Sequence, residues 1–256
     1  MANFVTKLLE LPEVVNIKDL DSKEASLKHK EIILTKPLLK LIYLNWYKSL
    51  IENFDDESKI LEIGSGGGFI KEIFPSIITS DIKELSNCDK VVDARQLPFE
   101  NESLDGIVMV NVFHHIPDCE SFLFEAQRVL KKNGRIGMIE PANCAYSRFI
   151  YKNFHHEPFE INQHEWKFQS KGPLSDSNQA LPSIVFERDK DIFKRKFSNL
   201  KIKNITYHSP LSYLISGGLS MRSLSPNVLN SLLVKVDKTL SSKNFCMFCT
   251  IEVEKI

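Results

Sequence analysis

The chain has 256 residues, 43% hydrophobic and 26% charged, with 33 basic and 33 acidic side chains. That composition is ordinary for a globular protein, and the zero net charge argues against a nucleic-acid partner. Five scattered cysteines are too few and too odd in number for a disulfide framework and fit a reducing, cytoplasmic setting. No run of about eighteen apolar residues occurs, so no membrane-spanning helix is expected, although surface association is not excluded. Residues 1–30 lack the continuous apolar core of a secretory signal.

Residues 1–36 read as a short helix and an extended arm. Pro37 suits the first turn of a helix running to Phe54, whose apolar face carries Leu38, Leu41, Ile42, Trp46, Leu50 and Phe54. The stretch 1–57 is therefore expected to be a helical segment that covers the sheet or the site. Lys59 to Asp81 follows: a buried apolar strand (Ile60, Leu61, Ile63), glycines at 64, 66, 67 and 68, a short helix through Phe69, Ile70, Ile73 and Phe74, and a second strand ending at Asp81. Glycine lets the backbone turn sharply and approach a ligand, and the helix start would favour an anionic group. A carboxylate at Asp81 could accept both hydroxyls of a ribose. The unit reads as a nucleoside-binding half of an open α/β sheet.

The dinucleotide fingerprint G-x-G-x-x-G is not met, because the sixth position from Gly64 is Phe69. The pattern is instead E-x-G-x-G-x-G, from Glu62 through Gly64, Gly66 and Gly68. This argues against a nicotinamide-dependent oxidoreductase. Only nine residues separate Asp81 from Val91, so the second crossover is expected to be a loop or a single turn. Val91-Val92 would form a third strand, with Asp93-Ala94 at its end, where a carboxylate could meet an adenine amino group. Leu104 to Val112 reads as a long fourth strand. Cys119 to Leu130 reads as an amphipathic helix capped by Asp118 and ended by Asn133-Gly134. Arg135 to Glu140 would be a fifth strand, closed by Pro141.

In order, D-A-x-x-L-P-F, S-L-D, an apolar strand, His114-His115, a helix ending R-V-L-K-K-N-G and a strand ending E-P resemble the class I S-adenosylmethionine-dependent methyltransferases. The resemblance is to the subfamily of ubiquinone/menaquinone-biosynthesis-like enzymes (methyltransferase type 11) and covers roughly residues 58–141. It implies a Rossmann-like α/β fold, with a seven-stranded mostly parallel sheet, the last strand antiparallel, and an insert after strand five. It also implies S-adenosylmethionine as cofactor. Glu62, Gly64, Gly66 and Gly68 would line its methionine and ribose side. Asp81 and Ile82 would hold the ribose, Asp93 and Ala94 would meet the adenine, and Asn111 would lie beneath the methionine end.

Residues 200–256 supply the remaining elements: a strand at Leu200–His208, a helix at Pro226–Leu240 and a strand at Phe245–Val253. Cys246 and Cys249 form C-x-x-C inside that last strand and read as core cysteines. The basic run from Arg188 to Lys196, diluted by acids, reads as a solvated helix face. Residues 142–199 form the insert, expected to lid the strand ends and bind the acceptor. His155, His156 and Glu157 are its catalytic candidates, one imidazole as general base with Glu157 as orienter. His164 and Glu165 lie nearby, but the spacing matches no zinc motif, so no metal is expected. No N/D-P-P-Y follows strand four and no Pro-Cys pair occurs, against methylation of adenine N6, glutamine or cytosine C5. A small-molecule, lipid or sugar-containing acceptor remains, methylated at oxygen. A module that binds the cofactor without turnover is the alternative.

Overall fold

In the computed structural model, residues 10–12, 19, 21–155, 157–172 and 176–256 are described. Two long helices precede the sheet among the described residues, α1 (Lys23–Thr35) and α2 (Pro37–Ile51). Ser22 caps α1 by accepting the Ala25 N–H, and Pro37 opens α2 at the position where its missing N–H costs nothing. The strands are β1 (Ile60–Glu62), β2 (Ile78–Asp81), β3 (Lys90–Val91), β4 (Leu104–Val110), β5 (Leu130–Pro141), β6 (Leu200–His208) and β7 (Phe248–Lys255). They form one sheet in the order β3-β2-β1-β4-β5-β7-β6. Strand β7 runs antiparallel to both neighbours, and the pairs from β3 to β5 are parallel. This is the seven-stranded sheet expected from the sequence. Its strand order reverses beside β1, so the carboxyl ends of β1 and β4 open a crevice there.

The sheet is covered on both faces. Helix α2 lies against β4 and β5: the Phe54 ring beyond its end fills the space over Gly106, and Leu50 fills that over Gly137. The other face carries α3 (Cys119–Val129), whose Phe122 meets Phe113 and, through it, Phe186. Asp118 caps α3, accepting the Ser121 N–H at 3.1 Å. Further helices among the described residues include α4 (Ala145–Phe154), α5 (Lys190–Lys196), α6 (Ser212–Ser216) and α7 (Asn230–Leu240). Cys246 and Cys249 are buried core residues.

Several elements differ from the sequence-based expectation. The helix expected after the glycines is a single 3₁₀ turn, Ile70–Glu72. The glycine loop runs on to Phe69, and Pro75 blocks further winding, which leaves room for a single turn. One 3₁₀ turn carries little dipole, so no helix start serves a ligand there. Strand β3 is shifted back one residue, leaving Val92 buried beyond its end. Helix α3 stops at Val129 rather than Asn133-Gly134, because Leu130 already pairs with Leu104 on β4, and a register shift absorbs the residues before Arg135. The crossover from Asp81 to Lys90 contains no helix, as its length requires. No helix of the described residues is long and apolar enough to cross a membrane.

Candidate active site

A cleft of about 960 Å³ runs across the carboxyl ends of the strands. One end is built by β1, β2 and the glycine loop. Gly64 has φ +68°, and a side chain there would come within 2.5 Å of Val112, so the turn excludes any other residue. Gly66, at φ +41°, donates its N–H to Asp81 Oδ2 at 3.0 Å. Asp81 Oδ1 accepts the Lys83 N–H at 2.9 Å. Asp81 is 6% exposed, and each oxygen keeps lone-pair capacity toward the cleft. Gly68 passes under the Tyr47 hydroxyl. Beside it Glu62 is 3% exposed. Burial, reinforced by Asp81, pushes Glu62 up to about 7 against a hydrogen bond from Ser65. Its Oε2 is buried without a partner.

Ile82, Asp93, Ala94 and Asn111 also line this cleft. Asp93 is less free than expected: Arg95 Nε reaches Oδ1 at 3.0 Å and Nη2 reaches Oδ2 at 2.6 Å. Asn111 takes a left-handed conformation, φ 55°, as β4 ends. Its side chain bonds the Tyr43 hydroxyl, while Oδ1 is buried without a partner.

The far end is a cluster of imidazoles and carboxylates. Glu140, on β5, accepts the Val112 and Phe113 N–H groups on Oε1 at 2.9 and 2.8 Å, and its Oε2 lies 2.6 Å from His114 Nδ1. His114 Nε2 faces Glu157 Oε2 at 3.4 Å, and His115 Nε2 faces Glu157 Oε1 at 3.6 Å. Burial opposes charge on His114, yet the Glu140 and Glu157 carboxylates outweigh it and push the ring up to about 9. Burial and the neighbouring His114 push His115 down to about 4. Burial raises Glu157, but the surrounding imidazoles win and hold it well below the usual carboxylate range.

His155 ends α4 and lines the same cleft. Its Nδ1 receives Gln179 Nε2 at 2.6 Å and the Glu157 N–H at 3.3 Å. Two donors on Nδ1 place the proton of the neutral ring on Nε2. The ring thus enters as a donor, whereas a general base needs a bare nitrogen toward the cleft. His156 lies outside the described residues. His164 and Glu165 are exposed and do not line the cleft.

Sequence reading missed four contributors. His114 and Glu140 were visible only as parts of a motif. Gln179 sat in an unassigned stretch of the insert. The segment from Tyr213 to Met221 also walls the cleft, pinned by Lys36, whose Nζ donates to the Gly218 and Met221 carbonyls at 2.5 and 2.6 Å. The adjacent histidines and the glutamate closing a buried strand were the available signals.

Residues 61–138 match the model of the methyltransferase domain family. These residues therefore form a methyltransferase domain, and the enzyme is an S-adenosylmethionine-dependent methyltransferase. Solved structures similar to this methyltransferase in fold include a SAM-dependent methyltransferase from Thermotoga maritima, at 17% identity over 84% of this chain and 89% of that one, TM-score 0.50. A complex between the Trm112 methyltransferase activator and a methyltransferase from Haloferax volcanii matches at 12% identity over 92% and 95%, TM-score 0.53. Geranyl diphosphate C-methyltransferase from Streptomyces coelicolor, solved with Mg²⁺, geranyl diphosphate and S-adenosylhomocysteine, matches at 9% identity over 97% and 89%, TM-score 0.50. No curated protein matches the chain in sequence.

S-adenosylmethionine is the cofactor of this methyltransferase. The residues present fit it. Glu62 and Asn111, whose Oε2 and Oδ1 are buried without partners, line the cleft together with the glycine loop and the Asp81 carboxylate. A cation-bearing amino acid with a ribose satisfies such a set.

Proposed function

We propose that the methyltransferase acts on a hydroxyl oxygen of a small polar acceptor. Asp81 holds the cofactor ribose at one end of the cleft, with Ile82, Asp93 and Ala94 around the adenine and Glu62 and Asn111 near the methionine end. One observation carries this reading. The cleft that begins at Asp81 and the glycine loop continues to His155 and Glu157 and is flanked by Tyr151, Phe154, Phe168 and Tyr213. A partly aromatic cleft of this kind suits a small molecule, a lipid headgroup or a sugar.

When bound, the cofactor would supply an activated methyl group to an acceptor oxygen, its sulfur retaining the electron pair of the S–C bond. The chain's own residues orient that oxygen. His155 donates through Nε2–H, with its ring fixed by Gln179 and the Glu157 backbone. The Glu157 carboxylate accepts the proton that the newly methylated oxygen must lose. A carboxylate held far down the scale suffices, because a methylated oxonium is much more acidic still.

The test is methyl transfer from labelled donor to hydroxyl compounds, comparing wild type with His155→Ala. Cofactor affinity is expected to be unchanged and transfer to fall roughly a hundredfold. Undiminished transfer by the variant would remove His155 from the mechanism. Label appearing only on nitrogen or carbon would overturn the oxygen assignment.

A further inference from the structure

We infer that His114, His115 and Glu157 form a binding site for one divalent transition-metal ion of the zinc class, with Glu140 as its supporting carboxylate.

The outer nitrogens of the two rings are both tied to oxygens. His114 Nδ1 is held by Glu140 Oε2 at 2.6 Å, and His115 Nδ1 by the Asp176 carbonyl at 3.3 Å. Both partners are oxygens that accept, so each Nδ1 carries hydrogen and each neutral Nε2 presents a lone pair. Both Nε2 atoms point at one carboxylate, that of Glu157, at 3.4 and 3.6 Å. Lone pairs therefore face lone pairs unless a positive charge lies between them.

The two rings lie 4.3 Å apart between centroids, and His115 Nε2, at 3.6 Å from Glu157 Oε1, stands beyond direct hydrogen-bond reach, a gap that an ion bridges. In either neutral tautomer of His115, one ring nitrogen presents its lone pair to an oxygen. Gln179 adds to the imbalance. Its Nε2 reaches Glu157 Oε2 at 3.2 Å, while Oε1 of the same amide is buried without a partner. A cation bound to both Nε2 atoms and to the Glu157 carboxylate removes all the lone-pair conflicts at the imidazoles.

The geometry suits it. Two ligands on one zinc-type ion at about 2.1 Å lie roughly 3.0–4.2 Å apart. The two His–Glu separations already fall in that range, and all three ligand atoms lie within 4.8 Å of one another. Glu140 bonded to the far nitrogen of a ligating histidine is the usual outer support of such sites. Glu140 is in turn fixed by the Val112 and Phe113 N–H groups, so the support is rigid. Imidazole nitrogen with one carboxylate favours zinc-class ions over calcium or magnesium. Three protein ligands leave coordination positions open toward the cleft, where an acceptor oxygen could bind. That last step rests on the oxygen acceptor proposed above; the metal site itself does not.

The test uses the full chain, stripped with a chelator. Calorimetry with Zn²⁺ is expected to show one equivalent per chain, and Co²⁺ to give visible d–d bands. His115→Ala and Glu157→Gln should each weaken Zn²⁺ binding at least roughly a hundredfold. S-adenosylhomocysteine affinity, measured on the same samples, should persist and report an intact fold. Absence of one-equivalent binding, or binding that both variants retain, would overturn the proposal. Zinc bound as expected with no transfer to any hydroxyl would instead overturn the oxygen acceptor and leave the metal site standing.

Discussion

Glu140 Oε2 meets His114 Nδ1 at 2.6 Å, with both side chains shut off from solvent. The same carboxylate ties down the Val112 and Phe113 N–H groups, so one side chain sets the loop that turns β4 toward the cleft. A buried charge with three partners is costly to delete on one side only. Glu140→Ala is expected to lower unfolding free energy by about 3–5 kcal/mol. Glu140→Gln should cost less, since its amide oxygen still accepts from the backbone. Urea unfolding of both variants checks the order; equal small losses would mean the network is ornamental to stability.

Asp81 has two duties that substitutions can separate. It accepts the Gly66 N–H and faces the cleft. Asp81→Asn keeps an acceptor for Gly66 but loses charge, and should weaken S-adenosylhomocysteine binding roughly tenfold or more for each charge-assisted bond lost. Asp81→Ala loosens the loop too and should bind more weakly still. Calorimetry decides, and a lowered melting temperature with unaltered affinity would assign Asp81 to the fold alone.

Helix α1 closes over the glycine loop. A Cβ on Gly67 would stand 2.6 Å from the Lys30 backbone nitrogen and 3.0 Å from the His29 carbonyl carbon. Backbone does not yield as a flexible side chain does, so Gly67→Ala should displace α1 at a cost of roughly 1–3 kcal/mol. Release of bound S-adenosylhomocysteine should quicken accordingly in stopped-flow measurements. An unchanged release rate would show that α1 does not gate the cleft.

His208 makes stability depend on pH. Its ring packs between Trp46 and Phe248 and bonds Ser209 and Thr250, and burial pushes it down to about 4. The unfolded ring titrates near 6.5, so between these values the unfolded chain binds the extra proton. Stability contributed by His208 is thus whole above about pH 6.5 and is lost as pH falls toward 4. The loss is at most about 3 kcal/mol and is reduced by the solvent that still reaches the half-buried ring. Unfolding of wild type and His208→Asn across this window checks it: the wild type should show the steeper decline.

The glycine loop, Asp81 and Asp93 were legible in the sequence because they follow one another along a short stretch of chain. Strand periodicity and turn residues fix neighbours of that kind locally, and the same logic exposed the missing second crossover helix. Periodicity does not measure the room available, which is why the apolar spacing from Phe69 to Phe74 suggested a helix where only a 3₁₀ turn fits. The far end of the cleft was decided by tertiary structure. His114, Glu140, Glu157 and Gln179 come from four separate segments, and they converge only because β4 and β5 lie side by side and the insert folds back across their ends. The proton position on His155 depends on Gln179, 24 residues away. Such contacts carry no signal in spacing along the chain, because hydrogen-bond partners are set by where strand ends meet in space.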